Sequence, residues 1–212
     1  PLFQAVVYTL VFSQIINMGI PKYHVFLIAA LIPWTFFAAS ITQGAGSVLV
    51  QKEMVKKIYF PREVLPISNV TSNFINMALS FIVVFLIVIV SGIKINPLGL
   101  MCLPVIMAVE YLLALGITML VSALTVFFRD LEHILGIVVM AWQYLTPVLY
   151  SMDIVPDSLK PIFRANPMEP VIAAYRDILY YGLIPQLSTL LQAFVYAIAL
   201  LILGTAVFHK LS

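Results

Sequence analysis

Apolar runs of twenty residues or more recur along almost the whole chain, and they limit its fold more than any other feature. A hydrocarbon core about 30 Å thick takes about 20 apolar residues as helix. Six stretches meet that length: roughly 1–20, 25–50, 64–91, 97–128, 131–150 and 184–208. Periodicity does not separate buried helix from strand in such runs, but their length selects helix. Charged residues make up 9% of the 212-residue chain against about 25% in soluble domains. These features predict an all-α integral membrane protein with six transmembrane helices. No soluble domain, internal repeat or low-complexity tract interrupts it, so residues 1–212 read as a single membrane domain. The chain opens on Pro1 already inside a hydrophobic run, without the basic region and small-residue cleavage site of a signal peptide. That opening is expected of a fragment that lacks its original N-terminus.

Lys and Arg in short loops set sidedness. Lys52, Lys56, Lys57 and Arg62 mark 51–63 as cytoplasmic, and alternation then puts Arg129 and Lys210 inside, with Lys22 and Lys94 outside. The long 151–182 loop falls outside and carries Lys160, Arg164 and Arg176 among Asp153, Asp157, Glu169 and Asp177. Counting that loop narrows the bias without reversing it.

The stretch "QKEMVKKIYFPRE" at 51–63 holds six of the twenty charged residues. On a helical wheel Met54, Val55, Ile58 and Tyr59 share one face, while Lys52, Glu53, Lys56 and Lys57 share the other. Glu53 precedes Lys57 by four residues, an ion pair worth about 0.2–0.5 kcal/mol. Pro61 pushes Phe60 out of the helical region, so a short amphipathic helix should stop near Tyr59 and hinge into the third span. Two roles fit: a basic anchor on lipid headgroups, or a docking element for a soluble partner with Tyr59 and Phe60 as apolar plugs.

Residues 151–182 are punctuated by Pro156, Pro161, Pro167 and Pro170, after which Val171, Ile172, Tyr175, Ile178 and Leu179 lie on one helical side. Such a run is too short to cross a bilayer and predicts two short re-entrant helices on the outer face, or a surface loop with one amphipathic turn.

Polar residues within the spans need partners, because lipid offers none. Ser68, Asn69, Ser72, Asn73, Asn76 and Ser80 form one stripe on the third span, suited to interhelical hydrogen bonds or to hydroxyl-rich cargo. Glu110 stands midway along the fourth span, where a charged carboxylate costs about 2.5–3.5 kcal/mol. No Lys or Arg stands at similar depth, so protonation or a hydroxyl partner fits better than an ion pair, in a structural or a gating role. Ser40 and Gly44 offer a small-residue surface for close helix approach. Trp34, Phe36 and Phe37, with Trp142, Tyr144 and Tyr150, suit an interfacial aromatic belt or stacking on sugar rings. Asp130 is placed to cap the fifth span, with Glu132 in its first turn.

Several chemistries find no residues here. No P-loop motif is present. His24, His133 and His209 are scattered, and the single Cys102 has no companions for a metal site. No hydrolase or metalloprotease motif appears. A net charge of +2 offers no basic field for nucleic acid. No catalytic or metal-binding residue is assigned. A membrane enzyme acting on polyprenyl-linked sugars and a secondary transporter are two classes against which the residues can be weighed. The first would need a clustered acidic or metal site at a membrane face, and against the second the chain has one midplane acid and no visible repeat.

Three stretches resemble one family. "KKIYFPREVLPIS" ahead of an apolar span is similar to the cytoplasmic loop of polysaccharide-exporting ABC-2 permeases, the membrane subunits for O-antigen, capsule and teichoic-acid export. "FFRDLEHIL" at 127–135 resembles the second cytoplasmic loop, and "LTPVLYSMDIVPDSLKPIFRANPMEPVIAAYRDIL" at 145–179 resembles the fifth span running into external gate helices. The resemblance implies a homodimer in the bacterial plasma membrane, each subunit multi-pass, above two P-loop ATPase subunits that hold ATP and Mg, with no cofactor on this chain. It implies a transport subunit rather than an enzyme, with a lipid-linked polysaccharide as cargo. It makes Lys52, Glu53, Lys56, Lys57, Tyr59, Phe60, Arg62 and Glu63 the coupling helix, with Arg129, Asp130 and Glu132 on a secondary partner loop. It puts Tyr175, Arg176 and Asp177 on the external gate, and Asn69, Asn73, Asn76, Glu110, Trp142, Tyr144 and Tyr150 become candidates for the path. The family has an amphipathic interfacial helix before the first span, and this sequence is expected to start after it.

Overall fold

The computed structural model describes residues 2–11, 19–50, 61–128 and 130–211. The elements among them are helical. They are α1 (Leu2–Thr9), α2 (Tyr23–Ala45), α3 (Ser47–Val50), α4 (Val64–Val90), α5 (Pro97–Phe127), α6 (Leu131–Leu145), α7 (Lys160–Arg164), α8 (Glu169–Arg176) and α9 (Leu187–Leu211). Helices α2, α4, α5 and α9 are long and apolar enough to cross a membrane. The 15 residues of α6 are apolar but shorter. The expected first span is represented by the eight residues of α1. The expected amphipathic helix at 51–59, with Lys52, Glu53, Lys56, Lys57, Tyr59 and Phe60, lies outside the described residues, as does Arg129.

Helix ends follow local chemistry. Asn96 caps α5, its Oδ1 accepting from the Leu98 amide at 3.0 Å, and Pro97 occupies a first-turn position where no amide is needed. Helix α6 stops at Leu145 because Pro147 drives Thr146 into extended backbone, ψ 131°. Asp130 sits at the start of α6 but makes no side-chain cap bond, so the expected capping role does not hold. Its backbone is already helical there (φ −70°, ψ −13°), whereas a capping side chain works from an extended residue.

Helix α2 is the centre of the bundle. Leu27, Ala30, Leu31 and Phe37 are fully buried, and the helix is enclosed on nearly all sides by α4, α5, α6 and α8. This placement overturns the belt expectation for Trp34, Phe36 and Phe37. Phe36 packs edge-on to Phe74 of α4 at 5.8 Å, and Phe37 edge-on to Trp142 of α6 at 5.3 Å. The Ser40–Gly44 surface does receive another helix. Thr118 of α5 lies against Gly44 and donates to the Ser40 carbonyl at 3.1 Å.

The helices alternate in direction. At one end Tyr180 donates to the Pro21 carbonyl and Tyr23 to the Leu149 carbonyl, both at 2.7 Å, with Gly182 against the Lys94 carbonyl. At the other end Glu132 lies against Gly46, and Glu63 meets His209 at 3.3 Å. The segments 21–23, 94–99, 145–150 and 180–183 thus share one end, opposite 45–46, 61–64, 127–132 and 208–211.

Helices α5 and α9 cross at Gly116 and Gly204, where neither backbone leaves room for a side chain. A methyl on Gly116 would stand 2.5 Å from the Leu201 amide nitrogen, and one on Gly204 would overlap the Gly116 carbonyl. Gly204→Ala is therefore expected to lower the melting temperature of the purified protein, at an overpacking cost of about 1–3 kcal/mol. Gly136→Ala on α6, with nothing within 4 Å, should be neutral or stabilising by up to about 1 kcal/mol. Thermal melts of both variants in one detergent check this.

Candidate functional site

The polar stripe of the third span falls on α4, on a face the subunit does not bury. Ser68, Ser72 and Asn76 are exposed, and Asn69, Asn73 and Ser80 are half-buried. Two of the stripe's hydroxyls satisfy themselves: Ser68 donates to the Leu65 carbonyl at 3.0 Å and Ser80 to the Asn76 carbonyl at 2.8 Å. An amide has no such option, and the amides link sideways. Asn73 Nδ2 donates to Asn69 Oδ1 at 3.2 Å and to Gln43 Oε1 of α2 at 3.3 Å. Beside them a notch of about 180 Å³ lies between α2 and α4, with Thr35, Asn73, Asn76 and Ser80 as its polar lining and Phe36 at its wall. Such an arrangement can hold hydroxyl groups on an otherwise apolar surface.

A second constellation forms where the chain between α6 and α9 folds back. Val171, Ile172, Tyr175, Ile178 and Leu179 are all buried, as their shared helical side predicts. Helix α8, continued by the π-helical turn Asp177–Tyr181, packs against α2, α5 and α9. Pro170 stands in the first turn of α8, and Gly182 ends the π turn in the left-handed region at φ 65°, where a side chain would strike the Lys94 carbonyl.

Three side chains tie this hairpin down. Asn166 sits ahead of Pro167; its Oδ1 accepts from the Trp142 indole at 2.9 Å and from the Met168 amide at 3.0 Å, while its Nδ2 donates to Thr146 Oγ1 at 2.8 Å and the Leu145 carbonyl at 3.1 Å. Arg176, 6% exposed, donates to the Val148 carbonyl at 2.8 Å and the Tyr150 carbonyl at 3.2 Å. Its guanidinium carbon lies 3.6 Å from the centroid of the Phe26 ring, a desolvated cation–π contact worth about 2 kcal/mol. Tyr175 donates to Glu110 Oε2 at 2.7 Å, both side chains fully buried. Glu110 thus has the hydroxyl partner anticipated for it, and it lies closed inside the subunit, apart from the Asn73–Asn76 notch. Asp177 is half-buried, and its carbonyl accepts from the Leu183 amide at 2.7 Å. Outside the spans, Lys160 lies 2.6 Å from Asp157, and this bond and charge hold the Asp157 carboxyl below its ordinary range.

The aromatic candidates divide. Trp142 is committed to Asn166 and Phe37. Tyr150 donates to the Tyr144 carbonyl and meets Phe163 edge-on at 6.4 Å. Tyr144 points outward, 55% exposed. At the opposite end Arg62 is exposed, and Glu63 pairs with His209. The Glu132 carboxylate lies close over Gly46. Among the described residues no three His, Cys, Asp or Glu side chains gather as metal ligands would.

Sequence reasoning missed Asn166, Thr146, Phe26 and His209. For Asn166 a signal existed: an Asn-Pro dipeptide marks a turn in which the side chain bonds the backbone two residues on. No local pattern marks the others, whose roles arise between distant elements.

Arg176→Met should cost about 2–3 kcal/mol, because it strands two carbonyls and removes the cation from Phe26. The expected readout is a lower melting temperature together with faster proteolysis between residues 145 and 165. A melt unchanged from the parent would refute this account of the tie.

Comparison with known proteins agrees with the fold. The ABC-2 type transporter family matches residues 1–180. An O-antigen export system permease protein RfbA of Klebsiella pneumoniae is 31% identical over 211 residues, covering 100% of this chain and 81% of that protein. Another of that name, from Myxococcus xanthus, is 29% identical over 212 residues, covering 99% of this chain and 81% of its own length. With this family match over residues 1–180, which take in α1 to α8, the chain belongs to the ABC-2 type transporter family.

Proposed function

We propose that this chain is the permease subunit of an ATP-driven exporter that moves a lipid-linked polysaccharide of the O-antigen, capsule or teichoic-acid type across the bacterial plasma membrane. The observation that carries the reading is similarity along the whole chain to permeases named for O-antigen export. The open polar face of α4 supports it, because amides left facing outward from a membrane subunit need either a second subunit or a hydrated cargo. In this reading six spans form each subunit of a homodimer, and the path runs between the two copies past Asn69, Asn73 and Asn76. The hairpin carrying Tyr175, Arg176 and Asp177 is re-entrant and gates the outer end. Residues Lys52 to Glu63 form the coupling helix, seated in a cleft of a P-loop ATPase subunit that holds ATP and Mg, with Arg129, Asp130 and Glu132 touching that subunit secondarily. ATP binding draws the two ATPases together, and the coupling helices transmit the motion as a population shift.

Reversing Lys56 and Lys57 to Glu tests the coupling step. ATP hydrolysis by the purified complex should persist while export in cells falls to background, with the spans still inserted; undiminished export would contradict docking through this face. Replacing Asn73 and Asn76 together with Leu tests the path. Export should fall severalfold while the ATPase still co-purifies, whereas full export would assign these amides to helix packing alone.

A further inference from the structure

The hairpin is held to the rest of the subunit by ties of unequal quality. Asn166 is well matched, with both its oxygen and its nitrogen engaged. Tyr175 reaches instead to Glu110, which stands roughly 20 Å along α5 from Pro97 at 1.5 Å per residue. Among the described residues this is the one side-chain hydrogen bond between the hairpin and α5. The Tyr175 ring is further fixed by stacking on Phe81 of α4, centroids 5.6 Å apart and planes 24° from parallel. Yet Glu110 Oε1 meets no donor among the described residues, although the residue is 0% exposed.

A buried carboxyl with one oxygen bonded and the other unserved is a half-satisfied polar group. It holds its partner firmly, but the seated arrangement carries the desolvation cost of the second oxygen. Water reaching the site when the hairpin lifts would serve both oxygens, so the same group that fastens the hairpin also lowers the cost of leaving. We propose that Glu110 and Tyr175 form a metastable catch, which seats residues 169–181 against α5 and whose release is favoured by hydration of the carboxyl once that segment lifts. The proposal rests on the reading of the hairpin as the outer gate. Both are positioning residues, acting on cargo only through the hairpin.

A catch of this kind predicts opposite responses from two variants. Tyr175→Phe leaves the carboxyl with no partner and should loosen the hairpin. Combining Glu110→Leu with Tyr175→Phe removes both polar groups at similar volume, which is often neutral or stabilising for a buried pair, and should tighten it. A bond that serves only to hold the fold together predicts loosening or no change in both.

The test is amide hydrogen exchange of residues 169–181 in the complete complex with its ATPase, reconstituted in lipid nanodiscs. Tyr175→Phe should exchange about tenfold faster than the parent in this segment, with α5 and α9 unchanged. The double variant should exchange more slowly than the parent and export less, with the ATPase still bound. The catch is overturned if Tyr175→Phe exchanges like the parent, if the double variant is as fast as or faster than the parent, or if acceleration spreads equally over α5 and α9. Where Tyr175→Phe does not assemble, the double variant alone decides by the same criterion. Failure of both to assemble makes the pair a folding element and overturns the catch as well. These outcomes are separable from the exporter reading, which fails only if the parent complex transports without an ATPase or does not transport at all.

Discussion

A polar group inside a bilayer must find its partner within protein or in a wet cavity, since lipid supplies none. Several Thr hydroxyls among the described residues meet the demand at home. Thr42, Thr71, Thr125 and Thr205 each donate to a carbonyl of their own helix four residues back, at 2.7–2.8 Å. Longer polar side chains have no such local solution, and where they occur they dictate the architecture. Glu110 needs Tyr175, Arg176 needs the carbonyls of Val148 and Tyr150, and Asn166 needs Trp142 and Thr146. Each of these bonds joins the hairpin to a helix of the bundle or to the segment that follows one. Asn69 and Asn73 of α4 are the exception, linking to each other and to Gln43 while their face stays open.

That division separates the subunit into a closed and an open side. On the closed side α2 is wrapped by its neighbours, and α5 and α9 meet backbone to backbone at Gly116 and Gly204. On the open side α4 shows Ile75, Leu79, Ile82 and Leu86 beside the polar notch, a mixed surface that lipid alone would serve poorly. In the proposed exporter the open side borders the path and the closed side transmits force. The Asn166 and Arg176 ties lie toward one end, and the Glu63–His209 pair lies at the other.

Much of this was legible in the sequence because lipid imposes simple rules. Span length located α2, α4, α5 and α9 to within a few residues, and the shared side of Val171, Ile172, Tyr175, Ile178 and Leu179 located the buried face of the hairpin. The absence of any Lys or Arg near the depth of Glu110 pointed to protonation or a hydroxyl partner rather than an ion pair. Which hydroxyl was not readable, because Tyr175 lies 65 residues away and only the fold brings it near. The aromatic belt failed at Trp34, Phe36 and Phe37 for a related reason. Belt composition looks the same whether a helix borders lipid or fills the core, and α2 fills the core. Asp130 failed as a cap because residue type marks a position, while backbone geometry decides whether the side chain can use it.

The account depends most on the claim that the polar face of α4 borders an aqueous path. Its most direct measurement is thiol labelling of Asn76→Cys in a Cys102→Ser background, within the assembled complex in native membranes, using a membrane-impermeant maleimide. The account predicts labelling from the aqueous phase in at least one nucleotide state of the ATPase. No reaction with that reagent in any nucleotide state, with labelling only by a lipid-permeant one, would contradict it.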